Sequence, residues 1–273
     1  MNTNIFHDYS FFELWSPVLF FILLVSAIGY LNLLAFFKKR LTNIEPVKLR
    51  HKIYFIIGLF LFYIANGGPL GVLAHHYLFS AHMVQQSLLL FIVPPLILLG
   101  IPKWLVRAVF PWKLNKKIAG IASNPILAIL TFNGLLTLYH FPVIFDSLMS
   151  TQYYWLGTLY ELILFVTALQ IWWFIICPIP ELDELSDLKK IAFLIINGLL
   201  IYPVCTFIMF ADGAIYNTYS TFPQIIGFLD PHTDQQSGGV IMKAIQEIVF
   251  VIALSMVFKR WYRKENSGES IIQ

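Results

Sequence analysis

The sequence predicts an all-α integral membrane protein with seven transmembrane helices, its N-terminus outside and its C-terminus in the cytoplasm. Of the 273 residues, 58% are hydrophobic and only 12% are charged, about half the charged share of a soluble domain. The apolar residues fall into runs of about twenty, the length that crosses about 30 Å of hydrocarbon. Nearly all lysines and arginines lie in alternate connections between these runs, which indicates one consistent orientation.

The predicted spans form a single polytopic membrane domain, residues 1–273. The first run follows His7 and Glu13 rather than a basic segment with a cleavage site, so we expect it to remain as a helix. The second run is interrupted by the turn residues NGGPLG, Asn66 to Gly71. The other runs are long enough to cross the membrane. The seven spans cover about 17–37, 53–73, 79–99, 125–141, 153–176, 191–210 and 240–258.

The third span, LFSAHMVQQSLLLFIVPPL from Leu78 to Leu96, combines polar residues with two prolines. Polar groups in hydrocarbon cost free energy unless a partner satisfies them. Pro94 and Pro95 lack a backbone N–H, and we expect them to kink the helix. The carbonyls that they free need a protein partner or a lined cavity, so this span should face the interior of the bundle.

The orientation follows from the positive charges. Seventeen of the 18 lysines and arginines lie in the first, third and fifth connections and the C-terminal tail, which share one side if there are seven spans. The remaining one, Lys243, falls in the opening turn of the seventh span. The positive-inside rule places the charged side in the cytoplasm. In the third connection, Trp104, Phe110 and Trp112 alternate with cations, which predicts a helix that contacts membrane lipid at the cytoplasmic interface.

Soft metal ligands gather on the opposite side. Six of the seven histidines lie at or near the predicted outer face, and only His51 is cytoplasmic. Imidazole and thioether together suit copper, particularly Cu(I). A single interfacial histidine or a buried methionine is also common in structural roles, and that interpretation stays open. The candidate copper ligands are His82, Met83, His140, His75, His76, His232 and Met242.

Other polar residues within the spans are candidates for functional roles. Lys243 and Glu247 are four residues apart on one helix and can form an ion pair. Glu161 has no local partner in the fifth span, so a functional role and a tie to Lys243 are both open. The Gly-Gly pair in DQQSGGVIM marks either a close backbone approach or a turn. The full set is Gln86, Glu161, Asp234, Gln235, Gln236, Lys243 and Glu247.

Three stretches resemble a known family. YLFSAHMVQQSLLLFIVPPLILLGIP (Tyr77 to Pro102), DQQSGGVIM (Asp234 to Met242) and YHFPVIFD (Tyr139 to Asp146) are similar to the signature stretches of CtaG-type cytochrome c oxidase assembly factors. The resemblance implies a multi-pass protein of the bacterial plasma membrane that helps to mature a haem–copper oxidase. It also implies copper supply to the oxidase's membrane subunit. Many relatives carry a second histidine where Gln86 stands, and histidines in the fifth span where this chain has Tyr160 and Glu161.

Three functions are compatible with these features. The preferred one is transient binding of Cu(I) among the outer helix ends, followed by transfer to a docked cytochrome c oxidase membrane subunit. The second is a metal-free scaffold for an oxidase subunit, and the third is a small-solute or ion transporter, although the sequence shows no convincing internal repeat. We expect no enzymatic activity, because the sequence has no nucleophile–base pairing or phosphate-binding loop. We also expect no nucleic-acid partner, and a homo-oligomer is compatible with the sequence.

Overall fold

The computed structural model describes residues 6–7, 9–40, 46–109, 124–179, 183 and 185–266. All regular elements in these ranges are helices. The cytoplasmic interfacial helix predicted between residues 101 and 117 is described only as far as Val109. The helices are α1 (Phe11–Trp15), α2 (Pro17–Arg40), α3 (Leu49–Gly67), α4 (Pro69–His76), α5 (Phe79–Ser87), a π-helical segment (Leu88–Ile92), α6 (Val93–Gly100), α7 (Lys103–Val109), α8 (Pro125–Tyr139), α9 (Pro142–Met149), α10 (Tyr154–Ile176), α11 (Asp187–Met209), α12 (Asn217–Thr221) and α13 (Pro231–Asn266).

The protein has between five and seven helical segments that are long and apolar enough to span a membrane. Five are continuous, and two more arise if each of two bent helix pairs counts as one span. The pairs are α3–α4, bent by 43°, and α8–α9, bent by 75°. If each bent pair counts as one span, the segments follow the order of the seven predicted runs.

The two bends lie where the sequence breaks the helical pattern. Between α3 and α4, Gly68 adopts an extended conformation and Pro69 begins the next helix. Between α8 and α9, His140 and Phe141 leave the helix and Pro142 begins the new one. Proline at the first helical position needs no hydrogen-bonded N–H, which makes it a favourable start.

Two predicted boundaries differ from the observed ones. The predicted fourth span ends at residue 141, but after the bend the chain continues as α9. The predicted seventh span begins at residue 240, but α13 begins at Pro231. Its polar first turns do not match an apolar pattern, yet they are helical because Asp230 caps them. The carboxylate of Asp230 accepts the N–H groups of His232 and Thr233.

The prolines of the third span produce a π-helical segment within a continuous helix. Residues 79–100 form one helix, and the segment Leu88–Ile92 immediately precedes Val93. Pro94 has no N–H to donate to the carbonyl four residues earlier, that of Leu90. The indole N–H of Trp172 donates to this carbonyl at 3.1 Å instead. Of the two alternatives, a protein partner or a lined cavity, the Leu90 carbonyl thus has the protein partner.

The third span lies at the centre of the bundle. In its apolar window 67% of residues are buried, against 11% in the segment that contains α2. The core is rich in aromatic residues that pack between the central helices, including Phe79, Phe91, Phe132 and Phe250. This arrangement places the polar turn of α5 in the interior rather than against lipid.

The outer end of the bundle is the end formed by residues 67–79, 139–153 and 210–231, and it takes its name from the charge-based prediction. At the opposite end, ion pairs join α11 to α13. The carboxylate of Asp187 binds Arg260 at 2.5 Å and Lys264 at 3.0 Å. These pairs tie the start of one helix to the last turns of the other.

Candidate functional site

His82 lies at the centre of a buried row of contacting polar side chains near the outer end of the bundle, here called the polar chain. Its side chain is fully buried. Its ring stacks on that of Tyr139 at 5.8 Å, with Nε2 lying 3.3 Å from the Tyr139 hydroxyl. Its other ring nitrogen, Nδ1, is buried with no partner within hydrogen-bond distance, although the Gln85 side chain is close enough to act on the ring. An unsatisfied imidazole nitrogen inside a membrane bundle carries a desolvation cost that a bound ligand would remove.

His75 of α4 approaches His82 from the neighbouring helix. The two ring centres lie 6.1 Å apart and their planes are inclined by 74°. The amide nitrogen of Gln85 lies 3.4 Å from His75 Nε2 and donates to the carbonyl of Ala65 at 2.9 Å. The bend between α3 and α4 therefore brings one of the predicted ligands next to another.

Glu161 of α10 lies at the other end of the polar chain from His75. Its Oε1 accepts the hydroxyl of Tyr139 at 2.9 Å and the amide of Gln86 at 3.2 Å. Both donors are neutral. The proposed tie to Lys243 does not form, because the Lys243 ammonium lies 2.6 Å from Glu247 instead. The predicted pair between Lys243 and Glu247 is confirmed.

Lys243 belongs to a separate polar group between α11 and α13. Its ammonium lies 3.5 Å from the centre of the Tyr202 ring, a cation–π contact, and donates to Gln246 Oε1 at 2.6 Å. In the ion pair with Glu247, the Glu247 side chain is half-exposed and the Lys243 side chain is mostly buried. This group borders an apolar groove of about 240 Å³ and does not extend to His82.

Asp234 and Gln235 organise the outer end of the bundle. The carboxylate of Asp234 accepts the backbone N–H groups of Phe79 at 2.6 Å and Ser80 at 3.2 Å, so α13 supplies the N-terminal cap of α5. Gln235 accepts the N–H of Ile215 and donates to the carbonyl of Ile208. Gln236 is half-buried beside them. These contacts give the first two residues structural roles.

The glycine pair permits close helix packing on two sides of α13. A Cβ at Gly238 would lie 2.6 Å from the Phe79 ring and 2.9 Å from Met83 Cγ. A Cβ at Gly239 would lie 2.7 Å from Met209 Cγ. Of the two alternatives open at the sequence level, the structure therefore shows the close approach.

The outer connection packs over the site through two tyrosines. The Tyr216 hydroxyl donates to the His140 carbonyl at 2.8 Å, and the Tyr219 hydroxyl donates to the Ala74 carbonyl at 2.5 Å. The carboxylate of Asp146 accepts the N–H groups at the start of α12. Burial raises the pKa of the Tyr219 hydroxyl well above its usual value. The connection is thus anchored to three different elements.

The remaining candidate ligands are dispersed. His140 is buried, with Nδ1 2.9 Å from the Leu136 carbonyl and Nε2 without a hydrogen-bond partner. The Phe145 ring contacts both the His140 ring and the His82 ring. His76 is exposed. His232 Nε2 lies 2.9 Å from the Ala211 carbonyl. The two methionines are fully buried in the core, Met83 beside Gly238 and Met242 one turn farther along α13.

Within the described ranges, no three His, Cys, Asp or Glu side chains lie close enough together to hold a metal ion. Among the predicted ligands, His75 and His82 have rings in contact and so approach a paired site. A metal site here could offer two imidazoles as ligands. The carboxylate of Glu161 would lie nearby, linked to His82 by the Tyr139 hydroxyl. This donor set fits a soft ion with few ligands better than a hard ion that needs several oxygens.

Sequence reasoning did not single out Tyr139 or Gln85, although both occur in the quoted signature stretches. Tyr139 directly precedes His140, and Gln85 lies in the same polar turn as His82. Both have polar groups that require partners at membrane depth, which is the signal that could have identified them. Trp172 gave no such signal, because its partner is the backbone carbonyl of Leu90 in another span.

The family model for the cytochrome c oxidase caa3 assembly factor, Caa3_CtaG, matches residues 28–264. That range includes the polar turn of α5, the bend after α8 and the capping turns of α13. The chain has no significant match among curated proteins or among solved structures. Because the matched range spans well over half of the chain, the protein belongs to the CtaG family of cytochrome c oxidase caa3 assembly factors.

Proposed function

We propose that this assembly factor binds Cu(I) transiently between His75 and His82 and passes it to a membrane subunit of the oxidase on the extracytoplasmic side. The protein carries the ion as cargo and performs no covalent chemistry. The oxidase subunit would dock against the bundle in the plasma membrane. Membership of the family supports the assembly role, and the geometry around His82 supports the choice of cargo.

The spacing of the two histidine rings is the observation that carries the proposal. Their centres are 6.1 Å apart. A metal ion bound to one nitrogen of each imidazole at about 2 Å would hold the ring centres about 6 Å apart. Cu(I) is a d10 ion that accepts as few as two ligands in a line, and imidazole is a suitable donor for copper. His82 Nδ1 has no partner within hydrogen-bond distance and is the nitrogen best suited to bind it, while the Gln85 side chain interacts with both imidazoles.

An incomplete site also suits a protein that must release its cargo. A closed tetrahedral cage of the kind found in structural metal sites would retain the ion. Two imidazoles leave the ion able to accept further ligands from a partner protein. Tyr216 and Tyr219 cover the site from the outer side, so we expect exchange to require movement of the outer connection or of the docked subunit.

The test is His82→Ala in the purified full-length protein, with His76→Ala as the matched control. His76 is exposed and lies outside the polar chain. We expect competition with a coloured Cu(I) chelator to show about one bound Cu(I) in the wild type and in His76→Ala, and almost none in His82→Ala. In cells, His82→Ala should lower the copper content of the membrane oxidase while the level of the assembly factor stays unchanged.

The second candidate is the metal-free scaffold. The contacts of Asp234, Gln235 and His232 with backbone groups of other elements favour it, because they give these polar residues a role in packing without a metal. It predicts that wild type and His82→Ala bind equally little Cu(I) and support oxidase assembly equally well. That result would overturn the proposed cargo and leave the assembly role intact.

A further inference from the structure

We infer that Glu161 supplies the counter-charge for the bound ion and thereby makes the site selective for monovalent over divalent cations. This inference rests on the proposed function. It assigns the selectivity to a residue that would not itself be a metal ligand. Glu161 would act through its charge and through its hydrogen bond to Tyr139, which contacts His82.

Glu161 is an intramembrane carboxyl group that has no cationic partner in the described part of the chain. Among the described residues, no Lys, Arg or His nitrogen lies within ion-pair distance of its carboxylate, and the groups that contact it are the Tyr139 hydroxyl and the Gln86 amide. Ionisable residues inside a membrane are costly and mark ion or substrate sites. Glu247, which lies in the apolar part of α13, is by contrast neutralised by Lys243.

The carboxylate lies close enough to the histidine pair to act on an ion there. Its Oε1 is 2.9 Å from the Tyr139 hydroxyl, which is 3.3 Å from His82 Nε2. Oε1 and Nε2 are therefore no more than about 6 Å apart. An ion bound to Nδ1, on the far side of the ring, would lie up to about 10 Å from Oε1, and two opposite unit charges in a protein interior still attract each other across that distance, whereas two water-exposed charges would be screened.

One negative charge balances one positive charge. The imidazoles are neutral when they bind metal, and Tyr139 and Gln86 are neutral donors. A monovalent ion with Glu161 gives a site of zero net charge. A divalent ion would leave one uncompensated positive charge within the membrane, which is costly. Selection by charge does not require a particular ligand geometry and suits a site with only two imidazoles.

The other titratable groups around Glu161 come from four helices. They are Tyr139 and His140 at the end of α8, His82 of α5, Tyr160 of its own helix and Tyr219 of α12. Two further carboxylates, Asp234 and Asp146, act on Tyr219 as Glu161 does, but each accepts backbone N–H groups at the start of a helix. Of these carboxylates, Glu161 is the one linked to His82 through Tyr139, so it is the group to which the charge balance is assigned.

The experiment measures binding of Ag(I), a redox-stable monovalent probe, and of Zn(II) to the full-length protein in detergent. We expect the wild type to prefer Ag(I). Glu161→Gln keeps a group that can accept the same two hydrogen bonds but removes the charge, and it should weaken Ag(I) binding about tenfold or more. Glu247→Gln, the matched control, should leave it unchanged. Gln86→Glu adds a second carboxylate and should shift the preference towards Zn(II).

The outcomes separate the two proposals. If the wild type binds neither Ag(I) nor Cu(I), both the proposed cargo and the role of Glu161 are overturned. If it binds Ag(I) or Cu(I) and Glu161→Gln binds them equally well, only the role of Glu161 is overturned. Equal affinity of the wild type for Zn(II) and Ag(I) would likewise contradict charge selectivity.

Discussion

Trp172 shows how a single side chain can allow a proline pair within a membrane helix. Pro94 deprives the Leu90 carbonyl of its helical donor, and the indole of Trp172 replaces that donor from another span. In water such a carbonyl would bind solvent, but in hydrocarbon it needs a protein donor. The π-helical segment at Leu88–Ile92 is stable in this setting because the bond is made elsewhere.

We therefore expect Trp172→Phe to destabilise the protein by about 1–3 kcal/mol, since it leaves a buried carbonyl without a partner. The control is Trp173→Phe, at the adjacent, half-buried position. Denaturant or thermal unfolding in detergent measures both. If the two variants lose the same stability, the loss reflects ring volume alone, and the hydrogen bond to Leu90 contributes nothing measurable.

At the scale of elements, the first turns of α13 hold the outer end together. Asp234 caps α5, while Gly238 and Gly239 let α13 lie directly against α5 and α11. Because the cap and the glycines are within two turns of each other, the position of α5 depends on the packing of this one helix. His82 and Met83 lie on the segment so positioned.

A methyl group at Gly238 should disturb this packing. Its Cβ would lie 2.6 Å from the Phe79 ring and 2.9 Å from Met83 Cγ, both too close. We expect Gly238→Ala to cost about 1–3 kcal/mol of unfolding free energy through overpacking. Gly134→Ala is the matched control, because a Cβ there meets nothing within 4 Å. A loss of stability at Gly134 equal to that at Gly238 would contradict this explanation.

At the scale of the whole molecule, function depends on orientation. The candidate histidines and the outer connection lie at one end, and the described lysines and arginines of the connections lie at the other. The ion pairs of Asp187 with Arg260 and Lys264 belong to the positively charged end. If that end is cytoplasmic, as the positive-inside rule predicts, the proposed copper site lies on the side from which the oxidase would receive the ion.

Cysteine labelling tests the orientation directly. Both native cysteines are buried, so background labelling should be low. Phe228 is 85% exposed at the outer end, and Glu265 is exposed in the last turn of α13. A membrane-impermeant maleimide should label Phe228→Cys in intact cells and Glu265→Cys only after the membrane is disrupted. The reverse pattern would invert the topology and remove the basis for outward delivery.

The membrane spans and their interruptions were determined by local sequence. Runs of about twenty apolar residues, the NGGPLG break and the alternation of positive connections are properties of neighbouring residues, so they predict the helices without knowledge of the packing. The polar turn of α5 is equally visible, because polar groups are rare in such a run. The copper assignment of individual residues does not follow in the same way and remains a proposal.

Only the tertiary structure decided which distant groups meet. Asp234 caps a helix that begins 155 residues earlier, and Glu161 reaches His82 through Tyr139 of a third helix. No local periodicity encodes such contacts, since they depend on how the helices pack and where they bend. The sequence showed that His82 and Glu161 needed partners, because polar groups in a bilayer must be satisfied. The packing of the bundle determined which partners they have.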